Sequence, residues 1–309
     1  MELIRGLYNM QPRHRGCVAT IGNYDGLHLG HRQVLEQLVT RAGQMALPSL
    51  VMCFEPTPQE FFVGSAAPPR LSSLRDKYEQ LNACGVDRFL CVRFNRKLSQ
   101  MSADNFIEVL LVNGMGIRHL VVGDDFRFGH DREGTFSTLV EAGRKYGFDV
   151  ADTESFKVDN ERVSSTLIRE ALEAGELGRA GRMLGRHYTI SGRVIPGEQL
   201  GRQLGFPTAN ISLGCRRPPL RGVFAVRVDG LGRKRDGVAN LGTRPTVDGR
   251  ELLLEVHIFD FADNIYGQRI TIDFVAHLRD EARFDDIETM TKQMEKDAEQ
   301  AKQILAQKA

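Results

Sequence analysis

Strand-like and helix-like segments alternate through about the first 180 residues of the chain, and the alternation then stops. Such alternation predicts an α/β fold, a parallel sheet with helices on both faces. Ser72 and Ser102 are expected to cap two of the helices, and Gly85 and Gly114 to end them. The predicted strands are 17–21, 49–54, 88–94, 119–123 and 148–151, and the predicted helices are 30–46, 72–84, 102–113 and 135–146.

A different pattern follows a segment rich in glycine and arginine at 175–187. Short apolar runs between turn residues predict an antiparallel sheet or small barrel, with strands at 188–195, 222–228, 234–239, 252–259 and 268–278. At the end of the chain an apolar stripe at helical spacing predicts a helix that packs on the barrel or, alternatively, binds a partner. The stripe consists of Ile287, Met290, Met294, Ala298, Ala301 and Leu305. We expect two domains, 1–183 and 184–309.

Charge and cysteine content argue against several classes of protein. The chain has 41 lysines and arginines against 40 aspartates and glutamates, which offers no electrostatic basis for binding nucleic acid or a membrane surface. Its five cysteines form no CxxC pair, so we expect neither a zinc site nor a disulfide framework, but small buried side chains. No signal peptide or membrane-length apolar run is visible, and we expect a soluble, cytoplasmic protein. The oligomeric state is left open.

The segment from Gly22 to His31, GNYDGLHLGH, joins the first predicted strand to the first predicted helix. A glycine-rich turn at a helix start offers backbone N–H groups and the positive end of the helix dipole, which suit phosphate. His28 and His31, three residues apart, lie on one side of that turn and offer further donors. Two exposed histidines at an ordinary helix start are the alternative interpretation.

Three further motifs accompany this turn in the first domain. Phe54–Pro58 (FEPTP) and Gly123–Gly129 (GDDFRFG) each leave a predicted strand at its carboxyl end, so a parallel sheet brings them to the same edge as the turn. Ser164–Arg169 (SSTLIR) places hydroxyls and a guanidinium at a helix start, which suits phosphate, although an ordinary N-cap has the same pattern. Asp124 and Asp125 are candidates to bind a base or a ribose, or else turn formers.

Together these motifs resemble the nucleotidylyl-transferase superfamily, and in particular the FMN adenylyltransferase module of the bacterial bifunctional riboflavin kinase/FAD synthetases. The resemblance implies that the phosphate of FMN attacks the α-phosphorus of ATP, with Mg²⁺ present and pyrophosphate released. His28, His31 and Arg169 are implied to be catalytic. The implied ATP ligands are Gly22, Asp25, Gly26, His28, Gly30, His31, Ser164, Ser165, Thr166 and Arg169. The implied FMN ligands are Glu55, Pro56, Asp124, Asp125 and Arg127.

The chain departs from this family at two places. Tyr24 stands where the family often has phenylalanine, and Phe54-Glu55-Pro56 stands where it has FDP or a similar tripeptide. The second departure bears on whether Glu55 matches an acidic residue of the family's site.

The second domain has its own set of polar motifs. Gly205–Asn210 (GFPTAN) is predicted to be a proline-fixed turn whose hydroxyl and amide suit a hard cation. Asn240–Thr246 (NLGTRPT) is predicted to be a second turn with a cation and hydroxyls. Glu255 lies inside an apolar strand, where a carboxylate is costly unless it has partners. Strand alternation places it opposite in face to Leu254 and Val256, so a solvent-facing carboxylate is the alternative.

These motifs resemble the riboflavin kinase module of the same bifunctional family, a small six-stranded β-barrel. The resemblance implies that Thr208 and Asn210 hold Mg²⁺ and the ATP phosphates, and that Glu255 is the general base toward the riboflavin 5′-hydroxyl. His257 is expected to be structural. Further implied ligands of ATP or flavin are Gly192, Gly205, Pro207, Asn240, Arg244, Arg279 and Phe284. A nucleotidylyl-transferase for another substrate and a flavin- or nucleotide-binding regulator without catalysis are the competing hypotheses.

Overall fold

The computed structural model describes residues 1–123, 125–153, 155–197, 201, 205–214, 217–246 and 249–307, with the backbone alone at 244–246 and 249–251. The chain divides into two compact units. The first consists of residues 1–68 and 72–164, and the second of 69–71 and 165–309. None of the helices in the described part of the chain is both long and apolar enough to cross a membrane.

The first unit contains a six-stranded sheet in the order β1-β4-β3-β2-β5-β6, with every pairing parallel. The strands are β1 (Glu2–Arg5), β2 (Cys17–Ile21), β3 (Ser49–Glu55), β4 (Arg88–Arg93), β5 (Ile117–Gly123) and β6 (Asp149–Thr153), and a separate hairpin has β7 (Lys157–Val158) and β8 (Glu161–Arg162). The chain goes from β2 to β3 on one side, whereas β5 pairs with β2 on the other side. The carboxyl end of β2 is therefore a topological switch point, where open α/β sheets bind ligands.

Helices cover both faces of this sheet, as the alternation predicts. They are α1 (Leu29–Met45), α2 (Pro58–Val63), α3 (Leu74–Ala83), α4 (Arg96–Ser99), α5 (Ala103–Asn105, continued by a π-helix at Phe106–Met115) and α6 (Phe136–Tyr146). Short 3₁₀ turns lie at Leu7–Asn9, Pro12–His14, Gly64–Ala66 and His130–Arg132. Two apolar clusters, one on each face, exclude water from the sheet.

Several predicted details of the first unit are confirmed or corrected. Ser102 caps α5 by accepting from the N–H of Asn105, and the chain turns at Gly85, where φ is +79°. Ser73, not Ser72, caps α3, because its hydroxyl and the Asp76 carboxylate form a reciprocal capping box. Gly114 does not end its helix.

The end of that helix lies at Gly116, where the backbone is left-handed with φ +58°. Strand β1 has no counterpart among the predicted strands, because its four residues are too few to show an alternating pattern.

Cys17 and Cys53 are buried and pack as small apolar groups. Their burial raises the pKa of each thiol to about 12.

In the described part of the second unit, two helices precede a closed antiparallel barrel in the order β10-β13-β12-β11-β14-β9, and a terminal helix, α9 (Ile287–Gln307), follows it. Its other elements are α7 (Ser165–Glu173), α8 (Leu177–Leu184), β9 (Tyr188–Ile195), β10 (Thr208–Ile211), β11 (Gly222–Asp229), β12 (Arg235–Thr246), β13 (Gly249–Ile258) and β14 (Arg269–Arg279). Helices α7 and α8 belong to this compact unit, whose first long segment begins at Ser165. The functional boundary at 183/184 stays a prediction.

Three expectations about the barrel need correction. Thr208 and Asn210 do not lie in a turn, because they form β10, which pairs with β9 and β13. Asn240–Thr246 is not a turn either, because it is the second half of β12 and pairs with β13. The terminal helix packs on the barrel through Ala301 and Leu305, which are buried against Ala225 and Val275. Ile287, however, is 59% exposed, so the first residue of the apolar stripe does not take part in that packing.

Candidate active sites

The segment that leaves β2, residues 22–28, is held in a tightly folded conformation that we call the phosphate loop. Three of its residues have positive φ: Tyr24 at 47°, Gly26 at 81° and Leu27 at 41°. Asp25 Oδ1 accepts hydrogen bonds from Ser72 N at 3.0 Å and from Ser72 Oγ at 3.2 Å, and Gly26 N donates to Ser72 Oγ at 3.1 Å. The Asp25 carboxylate thus joins the loop to the segment before α3 and orients the loop backbone.

His28 and His31 stack on each other at the first turn of α1. Their ring centroids lie 3.6 Å apart at an interplanar angle of 13°. His28 is the N-cap, and its Nδ1 accepts from the N–H of His31 at 3.2 Å, so in the neutral ring Nε2 carries the proton. His28 is only 7% exposed, which argues against two exposed histidines at an ordinary helix start.

The environment of His31 keeps its imidazole neutral. Burial lowers its pKa well below the usual value, and the neighbouring His28 and Lys77 lower it further. Its Nδ1 is buried without a hydrogen-bond partner. The pair offers neutral N–H donors, which stabilise negative charge without gaining a proton themselves. Gly30 packs closely beside them, because a Cβ there would lie 3.3 Å from the His28 ring, and the ring would have to shift.

This environment makes a prediction for stability against pH. In the unfolded chain His31 binds a proton below about pH 6.5, whereas in the folded chain it stays neutral to a much lower pH. The unfolded state then binds more protons, so the stabilisation present above pH 6.5 is lost as the pH falls below it. We expect the urea unfolding free energy of wild type to decrease more between pH 7.5 and 5 than that of His31→Asn. Equal pH dependence of the two proteins would contradict the buried neutral state.

A cavity of about 980 Å³ lies next to the phosphate loop, with Gly22 and Asn23 in its wall. Most of its apolar wall is aromatic, and Phe94 makes edge-to-face contacts with three neighbouring rings at 5.3–5.9 Å. The phenylalanines that line it are Phe54, Phe61, Phe62, Phe94, Phe106, Phe126 and Phe128. Such a wall suits a large planar ring.

Two of the predicted FMN ligands line this cavity and two do not. Asp125 and Arg127 are in its wall, and Asp125 is ion-paired with Arg162 at 2.7 Å. Glu55 and Pro56 follow Phe54 at the end of β3 but are not among the lining residues. Asp124 lies outside the described residues. The aromatic wall was not part of the prediction, although its signal is present as phenylalanines just after β3, β4 and β5.

The SSTLIR motif spans the division between the two units. Ser164 closes the first unit, whereas Ser165, Thr166 and Arg169 lie in α7 of the second. Arg169 Nε donates to the carbonyl of Pro69 at 2.6 Å. The role of these residues in binding ATP stays a prediction.

The polar residues predicted in the barrel come together on three neighbouring strands. Glu255 of β13 is the register partner of Asn210 on β10 and of Asn240 on β12, so their side chains lie in one row on one face. Two residues along β13, His257 pairs with Thr208. Leu254 and Val256 have no exposed surface and face the barrel core, which confirms that Glu255 has the opposite orientation.

Glu255 faces a pocket of about 270 Å³ rather than open solvent. Helix α9 supplies one wall through Met290 and Met294, and the opposite wall includes Thr208 and Asn240. His257 also lines the pocket, and its Nδ1 lies 2.9 Å from the carbonyl oxygen of Pro207, which fits the structural role expected for it. Polar groups converge on one side of a partly apolar cavity, which is the usual form of a small-molecule site.

The Arg279 guanidinium is held rigidly at the rim of this pocket. Its Nε and Nη2 donate to the Asp297 carboxylate at 2.8–3.0 Å, and Asp297 also accepts from Gln293 Nε2 at 2.9 Å. The guanidinium lies 5.7 Å from the ring centre of Phe284. The sequence does not indicate a role for Asp297. Its position on α9 shows that it lies one turn from Gln293, but not that it contacts Arg279 at the end of β14.

We expect Asp297→Asn to lower the free energy of unfolding by about 3 kcal/mol, because it leaves a partly buried guanidinium without its counter-charge. The Asp297 side chain is 5% exposed and Arg279 24%. Urea denaturation of the full chain measures the change. Glu288→Gln is the matched control on the same helix, since the Glu288–Lys292 pair is 78% and 66% exposed and its loss is expected to have no measurable effect. Similar losses in both variants would contradict this account of Asp297.

The remaining predicted residues of the barrel have local structural roles or lie outside the described side chains. A Cβ at Gly192 would overlap Ile211, so this glycine permits close packing of β9 on β10. Gly205 has φ +83°, a conformation that favours glycine. Arg244 lies in β12, but its side chain is outside the described part of the structure.

The donor set of β10 fits a magnesium ion. Thr208 and Asn210 are two residues apart on one strand, so both oxygens lie on the face that carries Glu255. Hydroxyl, amide and carboxylate oxygens suit Mg²⁺, which usually takes few protein ligands and completes its shell with water and phosphate oxygens. Within the described residues no group of three or more His, Cys, Asp and Glu side chains offers a metal cage.

The fold and the two sites define a class, a transferase that acts on nucleotide phosphates at two separate places in one chain. Family models match both halves, FAD synthetase over residues 10–167 and riboflavin kinase over 184–305. Helices α7 and α8 cover most of the interval between the two matches. The chain belongs to the family of bifunctional riboflavin kinase/FMN adenylyltransferases.

Relatives that carry this description match almost end to end. The protein from Pseudomonas fluorescens is 47% identical over 310 residues, covering 100% of this chain and 99% of the relative. The protein from Escherichia coli K12 is 48% identical and covers 96% of each chain. A solved structure described as a macrolide-efflux protein from Streptococcus pneumoniae has a TM-score of 0.83 at 27% identity, covering 96% of this chain and 97% of that one.

Proposed function

We propose that the first unit and the barrel catalyse consecutive steps of flavin nucleotide synthesis. The chain is a riboflavin kinase and an FMN adenylyltransferase: ATP phosphorylates riboflavin to FMN, and ATP then adenylylates FMN to FAD with release of pyrophosphate. The observation that carries the assignment of the second step to the first unit is the shared wall of the aromatic cavity and the phosphate loop. A flavin ring in that cavity has its phosphate within reach of a nucleotide on the loop.

In adenylyl transfer an oxygen of the FMN phosphate forms a bond to the α-phosphorus of ATP, and the bond to the pyrophosphate oxygen breaks. The nucleophile is already an anion, so positioning and charge stabilisation suffice. The Nε2–H of His28 and the neutral imidazole of His31 stabilise the negative charge on the oxygens around the α-phosphorus. The ATP and FMN ligands named from the resemblance, including Ser164, Ser165, Thr166 and Arg169, remain part of the proposal.

In the kinase step the riboflavin 5′-hydroxyl forms a bond to the γ-phosphorus of ATP, and ADP leaves. The Glu255 carboxylate accepts the hydroxyl proton as the new bond forms. Asn210 and Asn240 flank Glu255 and position it through the three-strand register. When bound at Thr208 and Asn210, Mg²⁺ neutralises charge on the phosphate oxygens. Arg279 and Phe284 line the same pocket, which supports their proposed role as flavin ligands.

The proposal is tested with purified full-length protein, riboflavin, ATP and Mg²⁺, with FMN and FAD separated by chromatography. We expect FMN to form first and FAD to follow. Absence of FMN from riboflavin would exclude the kinase assignment, and absence of FAD from added FMN would exclude the adenylyltransferase assignment. Omission of Mg²⁺ is expected to abolish both products. We further expect the protein to reside in the cytoplasm.

A further inference from the structure

Lys77 is a largely buried lysine of the first unit. It lies on α3, and its side chain is only 4% exposed. Among the described residues its ammonium makes no ion pair and no hydrogen bond. Buried lysines are rare unless they are paired, because removing an ammonium from water costs free energy. A lysine whose side chain is this largely buried, with no partner for its ammonium among the described residues, points to a role with an anion.

Hydrogen bonds hold the beginning of α3 against the phosphate loop. Ser72 bonds to Asp25 and Gly26, and Ser73, the next residue, is the N-cap of α3. Lys77 N donates to the Ser73 carbonyl at 2.9 Å, which places Lys77 one turn into the helix. The same bonds that shape the loop thus determine the position of this lysine beside it.

The charge of Lys77 acts on groups at the end of the sheet that carries the loop. After burial and His28, it lowers the pKa of His31 at the first turn of α1, and it opposes the rise that burial causes in the pKa of Cys53, two residues before the end of β3. The His31 ring has an Nδ1 that is buried without a partner. The Lys77 ammonium thus interacts with a neutral imidazole at the positive end of α1, a combination that favours a polyphosphate.

We propose that the Lys77 ammonium binds the phosphate chain of the nucleotide in the adenylyl-transfer site and the pyrophosphate that leaves it. The inference rests on the proposed function of the first unit. As the bond between the α-phosphorus and the bridging oxygen breaks, that oxygen gains negative charge, which the ammonium stabilises without giving up a proton.

Lys77→Met tests this role, because methionine retains much of the apolar stem and removes the charge. In the full chain we expect FAD formation from FMN to fall about 100-fold, with FMN formation from riboflavin unchanged. Titration calorimetry with magnesium pyrophosphate as the probe is expected to show binding at least about tenfold weaker than wild type. Without pyrophosphate the variant is expected to unfold at the same temperature as wild type or higher.

Two variants control for charge and for the substitution itself. Lys77→Arg keeps the charge and is expected to retain pyrophosphate binding within about threefold. Lys145→Met makes the same change at an exposed lysine of α6 and is expected to alter nothing. Should Lys77→Met fail to fold, Lys77→Gln replaces it in the same titration.

Unchanged pyrophosphate binding in the neutral variant would overturn the proposal, as would a lower unfolding temperature with binding retained, which indicates a structural role. The two hypotheses also fail separately. A wild-type protein that forms no FAD but binds pyrophosphate through Lys77 refutes the proposed adenylyl transfer and supports the anion site. If wild type forms FAD and Lys77→Met forms it at the same rate, only the role of Lys77 is refuted, and the proposed adenylyl transfer stands.

Discussion

His28→Ala is expected to reduce FAD formation about 1,000-fold and to leave FMN formation unchanged. The substitution removes an N–H donor that stabilises charge in the transition state, an effect of about 10²–10³ at preorganised sites. It also removes the N-cap bond to the backbone of His31, whose loss costs about 1 kcal/mol of stability. Chromatographic assay of the full chain with riboflavin or FMN as substrate measures both activities.

His28→Asn separates these two effects. Its amide oxygen replaces Nδ1 as the acceptor of the N-cap bond, but the imidazole Nε2–H is lost. We expect wild-type stability together with the same loss of FAD formation. His187→Ala, at an exposed histidine, is the control for histidine removal. Recovery of FAD formation in the asparagine variant would show that His28 acts only as a cap.

Glu255→Gln is expected to reduce FMN formation by about 10²–10⁴, the range for loss of a positioned general base, with FAD formation from added FMN unchanged. The amide has nearly the same shape as the carboxylate, so the row with Asn210 and Asn240 is preserved. Glu255→Ala is expected to have the same effect on the kinase. The change is measured as kcat/KM for riboflavin at saturating ATP.

The control for this prediction is Glu295→Gln, at an exposed glutamate of α9 in the same unit. It is expected to leave both activities intact. If Glu255→Gln abolished both activities in a folded protein, the two sites would not be independent. If it retained full kinase activity, the proton of the riboflavin hydroxyl would have another acceptor.

Local pattern was sufficient to predict most of the secondary structure. The apolar run 17–21 forms β2 over the same residues, and 188–195 forms β9 over the same residues. Predictions were wrong where the deciding interaction is with a distant residue or where the segment is short. Ser72 resembles an N-cap, yet its hydroxyl is held by Asp25, 47 residues away in sequence. β10 has four residues, and its strand conformation comes from pairing with β9 and β13.

The candidate sites were also predictable only where the local pattern identifies them. The histidines and Glu255 stand out because an ionisable residue beside glycines or inside an apolar strand breaks the local pattern. The aromatic wall of the larger cavity does not stand out, because phenylalanines in apolar surroundings suit an ordinary core equally well. Lys77 is part of a helix with charged neighbours, so no property of its sequence context indicates that it is buried.

By itself the sequence determined the kind of each unit, the positions of the phosphate loop and GFPTAN motif, and the family to which the chain belongs. These follow from patterns and motifs that span a few consecutive residues. Only the tertiary structure decided that Asn210, Glu255 and Asn240 form one row, that Asp297 holds Arg279, and that Lys77 lies buried beside the loop. Each depends on strand register or helix packing between residues far apart in the chain, which local periodicity does not encode.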